Sequence, residues 1–252
     1  MSTIFHLIFY NPLYNLLVWL SVVLPGHSFG LAVIALTLVV KFLLLPLSRK
    51  ASLTQRAMNE LEIPLAKLKE QHKDNREEQA RQIMALYKSR GVNPLASLWI
   101  VVIQIPIVLA LFWIVRQGVT INHDILYSFI APPTVVDPKL FIFDLTERNY
   151  FLAILTGVTQ WVQMYFALPK LVPNPNEKGV SSFKNDFAKT MHFQMRYVMP
   201  VFVVVAASSL PSAVAVYWIT SNIFATVQEL WMKQSKNSPL DQTSNPANPP
   251  LS

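Results

Sequence analysis

Lys41 stands near the middle of an unbroken apolar stretch, Gly30–Ser48 (GLAVIALTLVVKFLLLPLS), and the first acidic residue of the chain is Glu60. A lysine at that depth in lipid costs about 2.5–3.5 kcal/mol, so its amine must reach water or a polar partner. Other apolar stretches carry Gln104, then Thr156, Gln160 and Gln163, then Trp218, Ser221 and Asn222. Such groups do electrostatic and hydrogen-bonding work. No nucleophile–base pair or paired carboxylate lies at membrane depth, which disfavours an enzyme. The chain has no cysteine, and its five histidines are scattered without ligand spacing, so neither thiol chemistry nor a metal centre is expected. No cofactor is implied.

Taken alone, Lys41 has two exits. Its side chain can snorkel toward the Arg49–Lys50 pair, about two helical turns away. Alternatively it lines a polar cavity. Each amide taken singly is a candidate for interhelical glue worth around 1 kcal/mol. As a set at similar depth with an unpaired lysine, they favour a hydrated cavity. The reading gives Lys41 no intramembrane Asp or Glu as partner, which leaves water.

The elements that would carry these residues follow from composition. Of 252 residues, 52% are hydrophobic and only 14% charged, against about 25% charged in soluble domains. That makes a polytopic, all-α membrane protein. The net charge of +7 sits in the loops between apolar spans, so it reports topology before any acidic partner, and no specific nucleic-acid site is expected. Residues 1–29 contain no Lys, Arg, Asp or Glu, and neither a basic leader nor a cleavage site is visible. Asn11–Pro12 and Asn15 interrupt this segment, while Tyr10, Tyr14 and Trp19 suit a headgroup boundary. An amphipathic helix on the outer surface is preferred to a true span.

Five spans follow: 30–48, 95–115, 149–168, 197–208 and 212–232. The second opens at Asn93–Pro94, and Pro106 within it frees the carbonyl of Val102, which Gln104 or a neighbouring helix could satisfy. In the third, Thr156, Gln160 and Gln163 share one face. The fourth is short, and Ser208–Pro211 forms a tight outer turn. Residues 49–91 read as a cytoplasmic helical hairpin, with Met58, Leu61, Leu65 and Leu68 on one arm and Ile83, Leu86 and Tyr87 on the other. Its second arm starts at Glu77–Glu78, ends near Lys88 and Arg90, and meets Gly91, in accord with the helix dipole and a glycine stop. The narrow stripes suggest a mobile hairpin. Residues 116–148 form an outer loop, 169–196 a cytoplasmic loop, and 233–252 a Ser-, Asn- and Pro-rich tail that reads as disordered. The outer segments hold zero, three and zero Lys/Arg, and the inner ones ten, five and two. The positive-inside rule then places the amino terminus outside and the carboxyl terminus in the cytoplasm.

VVKFLLLPLS (39–48), RGVNPLASLW with IQIPI (90–107), GVTQWVQM (157–164) and LPSAVAVYWITSN (210–222) closely resemble the YidC family of membrane protein insertases. NPLYNLLVWL (11–20) looks like that family's outer-surface amphipathic helix. The resemblance reaches to about Met232. It implies five helices around a hydrophilic groove open to the cytoplasm and to lipid but closed outside, in a bacterial plasma membrane. The family's groove cation, usually arginine, falls at Lys41, its aromatic in the fifth span at Trp218, and a polar position of the third span at Gln160 or Gln163. With Thr37, Gln104, Tyr217, Ser221 and Asn222, these make the candidate groove lining. The implied partners are nascent membrane proteins and the lipid bilayer, with the ribosome, the signal recognition particle receptor and the Sec translocase as candidates. Lysine at 41 keeps the charge but loses arginine's donor fork. A strongly basic tail and a large soluble outer domain are absent, which suits a short-form member. The rival readings are a small channel or transporter using Lys41 as a selectivity charge, and an assembly chaperone that translocates nothing.

Overall fold

A computed structural model of the chain describes residues 3–91, 98–117, 121–131, 136–168, 190 and 193–236. The chain divides into two compact units: Met1–His27 with Val39–Val136, and Ser28–Leu38 with Asp137–Ser252.

In the first unit, α1 (Thr3–Val23) runs straight through Asn11–Pro12. The expected interruption is absent because a π-turn over His6–Tyr10 precedes it, with Asn11 N–H donating to the His6 carbonyl. Pro12 then falls at the start of the following α-segment, where a missing N–H costs little. Pro25–His27 turns the chain, with Gly26 at φ +72°. Helix α2 (Phe29–Glu60) enters this unit at Val39 and shows no break at Arg49, where a boundary between span and hairpin was expected. Only Pro46 opposes helix in this stretch, and it removes a single backbone bond. A one-residue turn at buried Leu61 leads to α3 (Glu62–Gln71) and α4 (Arg76–Ser89).

The hairpin matches its sequence signals. Asn75 Oδ1 caps α4 by accepting from Glu78 N–H at 3.1 Å. Gly91 ends it at φ +63°, donating to the Lys88 carbonyl. Gln79 Nε2 donates to the Lys69 carbonyl at 2.8 Å and so ties the two arms together. The second span appears as α5 (Leu98–Arg116), continuous through Pro106. Asn93–Pro94 lies outside the described residues.

In the second unit, the N-terminal end of α2 is latched to a feature the sequence reading missed. This is an antiparallel β-hairpin of β1 (Lys139–Leu140) and β2 (Phe143–Asp144). Phe29 N–H donates to the Asp137 carbonyl at 2.8 Å, and Ser28 Oγ to that of Lys139 at 3.1 Å. A Cβ on Gly30 would stand 2.5 Å from Leu140 Cβ, so only glycine admits this approach. The hairpin's two-residue loop puts Phe141 at φ +54°, a left-handed conformation costing a non-glycine residue about 1–2 kcal/mol.

Asn149 caps α6 (Tyr150–Ala167), its Oδ1 accepting from Leu152 N–H at 3.1 Å. Helix α7 (Gln194–Ser208) opens with a second π-turn over Gln194–Val198, again placed just before an X-Pro pair, Met199–Pro200. It therefore starts three residues before the expected 197. Helix α8 (Ser212–Lys236) is anchored where Ser212 N–H and Oγ both donate to the Glu147 carbonyl at 2.7 Å. It continues four residues past Met232 into the stretch assigned to the tail. Residues 237–252, and 169–189 of the expected cytoplasmic loop, lie outside the described residues. Gly157 sets the α6–α7 spacing, since a Cβ there would sit 2.2 Å from Val204 Cγ2.

Among the described residues the regular elements are helical apart from the small β-hairpin. Among the described residues, Thr3–Val23 and Phe29–Met58 are long and apolar enough on their own to cross a bilayer. Val102–Arg116 and Gln194–Ser208 are shorter apolar helices.

Candidate functional site

In the first unit, Lys41 lies on the seam of α2 between buried Val40 and exposed Phe42 and Leu43. Gln104 occupies the same kind of seam on α5, between exposed Val102 and Ile105 and buried Ile107. Lys41 Nζ donates to Gln104 Oε1 at 3.5 Å, the long end of hydrogen-bonding distance. Both side chains are half-buried. This corrects the expectation that water alone would partner the amine. A neutral amide oxygen orients an ammonium without cancelling its charge. Gln104 thus turns its Oε1 to Lys41.

Around α1 this unit holds a polar cluster that the sequence reading did not find. Asn15 is 2% exposed. Its Nδ2 donates to the carbonyls of Asn11 and Ile125, each at 2.8 Å, and its Oδ1 accepts from Tyr127 N–H at 2.7 Å. Tyr14 Oη accepts from Asn122 N–H at 2.6 Å, and Tyr10 Oη donates to Gln117 Oε1 at 3.0 Å. Tyr10 and Tyr14 are thus buried against protein, whereas Trp19 is exposed. The signal was invisible locally because the partners lie more than a hundred residues away.

In the second unit, the candidate residues separate by burial. Thr37 is 0% exposed, and its Oγ1 donates back to the Val33 carbonyl at 2.7 Å. Tyr217, Ser221 and Asn222 are also buried. Asn222 Nδ2 donates to Thr159 Oγ1 at 3.2 Å and reaches the Thr156 carbonyl at 3.5 Å, which joins α8 to α6. Thr156 Oγ1 completes the junction, donating to the carbonyls of Leu152 at 2.8 Å and Ala215 at 3.4 Å. Of the face expected to group Thr156, Gln160 and Gln163, Thr156 is therefore packing, and Thr159 was missed. Gln160 and Gln163 remain half-buried, Nε2 of the first donating to Oε1 of the second at 3.0 Å. Trp218 is half-buried as well.

An acid on α8, within the expected fifth span, was overlooked too. Glu229 is 8% exposed and lies 3.8 Å from Lys233, whose amine also donates to the Phe166 carbonyl at the end of α6. Arg196 stacks over the Tyr165 ring at 5.2 Å. Among the described residues, no group of His, Cys, Asp and Glu is placed to hold a metal ion.

The model of the 60Kd inner membrane protein family matches residues 19–239. Over 222 residues the chain is 30% identical to the membrane protein insertase YidC of Actinobacillus pleuropneumoniae serotype 3, covering 88% of this chain and 36% of that relative. The protein of the same description from Nitratidesulfovibrio vulgaris is 31% identical over 207 residues, 81% of this chain and 34% of its own length. The chain thus spans about a third of the length of these relatives. The one from Alkalihalophilus pseudofirmus is 32% identical over 228 residues, 87% of this chain and 78% of the relative. A match across most of the chain, carrying its apolar helices and both members of the Lys41–Gln104 pair, means that the chain belongs to the 60Kd inner membrane protein family of multi-pass, helical inner-membrane proteins.

Proposed function

We propose that this chain is a membrane protein insertase and chaperone that works without covalent chemistry. It receives nascent membrane proteins in a polar intramembrane groove and releases their apolar segments into lipid. The observation that carries the proposal is the half-buried amine of Lys41, 3.5 Å from Gln104 Oε1, with both residues inside the apolar stretches of their helices. A cation so held gives an acidic stretch a resting point part-way across the hydrocarbon. The relatives described as YidC insertases support the same reading.

In the full proposal, five spans surround a groove open to the cytoplasm, with the amino terminus outside. Lys41 and Gln104 supply its cationic part, and Gln160, Gln163 and Trp218 its remaining polar and aromatic lining. Thr37, Tyr217, Ser221 and Asn222, the other candidate lining residues, are buried and act through packing. The placement of α1 on the outer surface is supported by its bonds to residues 117, 122, 125 and 127, all beyond the end of α5 at Arg116. Its other face shows Ile4, Leu7, Ile8, Trp19 and Val23, suited to lipid. The hairpin of α3 and α4 makes first contact with the client, and the ribosome, the signal recognition particle receptor and the Sec translocase are its candidate suppliers.

Two forces complete the transfer. Lipid burial of the client's apolar segment contributes about 25 cal/mol per Å². The membrane potential adds up to about 2.3 kcal/mol per 100 mV for each negative charge moved toward the positive side. The test is insertion of paired clients with acidic or neutral tails into vesicles reconstituted with the chain, scored by protease protection of the tail. Lys41→Ala is expected to slow acidic-tailed clients severalfold more than neutral ones, and Lys41→Arg to restore them. Equal insertion of both classes by Lys41→Ala would remove the cation from the mechanism.

A further inference from the structure

The β-hairpin at 139–144 breaks two rules of local structure at once. Its loop turns on Phe141 at φ +54°, a position that in a two-residue hairpin loop normally falls to glycine. An L side chain there is strained, and this one recovers nothing by burial: Phe141 is 88% exposed and Ile142 84%. Polar or small residues would make the same turn with less strain and less apolar surface in water. The pair therefore fits a medium that is not water.

The surroundings identify that medium. Leu140, on the inner side of the hairpin, packs on Gly30 and fixes the hairpin to α2. Phe143 stacks on Phe151 at 5.8 Å with the ring planes 10° apart. Phe151 begins an exposed apolar stripe on α6 that continues through Ile154, Val158 and Trp161. In a multi-pass membrane protein such a stripe faces lipid, and the stacked rings carry that surface without a break onto the hairpin. Exposed Lys139 flanks the tip, as cations do where side chains reach the phosphates. We infer that the Phe141–Ile142 tip inserts into the headgroup–acyl border of the bilayer and moors the loop to lipid at the start of α6. The inference goes beyond the insertase reading and holds whichever side of the membrane the loop occupies.

Because the chain lacks cysteine, single probes can be placed without background. The full chain carrying Ile142→Cys, labelled with an environment-sensitive nitrobenzoxadiazole fluorophore, is reconstituted into phosphatidylcholine–phosphatidylglycerol vesicles. Asp124→Cys, at an exposed loop position, serves as the aqueous reference. The expected result is blue-shifted emission at 142, quenching by lipids with a nitroxide high on the acyl chain, and iodide quenching severalfold weaker than at 124. In a Phe141→Gly background the backbone strain is relieved, so thermal stability should hold while nitroxide quenching at 142 falls. Iodide quenching at 142 equal to that at 124, with no effect of nitroxide lipid, would overturn the inference. So would a probe shielded only in native membranes, which would assign the tip to a protein. Nitroxide quenching unchanged by Phe141→Gly would overturn the role of Phe141.

Discussion

Asn15 and Lys41 are both polar side chains set among apolar neighbours in the same unit, and they are treated in opposite ways. Asn15 is sealed from solvent, with three hydrogen bonds of 2.7–2.8 Å. Lys41 is half-buried, with one contact of 3.5 Å to a neutral amide. Asn222 resembles the first, since it is buried and bonded across two helices. A fully bonded polar group stabilises a fold and has nothing left to offer a ligand. An under-provided one contributes little to stability and keeps its capacity for an incoming partner.

The contrast can be broken by substitution. The largest effect is expected from Asn15→Leu, which strands the Ile125 carbonyl and the Tyr127 N–H and should destabilise by about 2–4 kcal/mol. Thermal unfolding in detergent measures the loss, and proteolysis within 122–127 shows whether the loop has come free. Gly157→Ala forces α6 from α7 against the stiff, β-branched Val204 and the Pro200 carbonyl, an overpacking worth about 1–3 kcal/mol. Asn222→Leu should cost around 1 kcal/mol. By the same assay Lys41→Ala should leave stability almost unchanged, and a loss as large as that of Asn222→Leu would erase the distinction drawn between them.

The smallest expected effect is a matter of pH. Hydrogen bonds from Thr146, Oγ1 at 2.6 Å and N–H at 2.9 Å, hold the Asp144 carboxyl below its ordinary range. A carboxyl with a depressed folded pKa stabilises at pH values above its unfolded pKa of about 3.9, and that contribution disappears as pH falls through the folded value. The group is largely solvated, so the effect is slight. Asp144→Asn should lower the melting temperature a little at pH 7, with the difference from the parent chain closing below about pH 4. A difference that persists in acid would mean that the carboxylate charge is not what holds the turn.

What the sequence made legible was local. Asn149 and Ala167 bound α6 almost where the apolar run begins and ends, and the stop at Gly91 needed no tertiary information. The reading failed wherever a partner was distant or a rule was locally offset. Proline at 12 looked like a break because nothing in the residue pattern announces a π-turn ahead of it. The partners of the Tyr10 and Tyr14 hydroxyls, the Gln117 side chain and the Asn122 N–H, were equally illegible, because both lie more than a hundred residues on. The nine candidate groove residues were chosen by type and depth. Depth is readable from sequence, but the number of bonds each one makes is not, and that number separates Asn222 from Lys41.

The unbroken course of α2 has a mechanical consequence. From Lys41 to Glu60 the helix is one rod of about 28 Å at 1.5 Å per residue, with its single missing backbone bond at Pro46. A load applied to the hairpin of α3 and α4 is then delivered as torque near the amine itself. Swinging the hairpin end by about 5° moves that end roughly 2.5 Å and turns the helix about the Lys41 position. Docking at one end and loosening at the other would be strokes of the same lever arm.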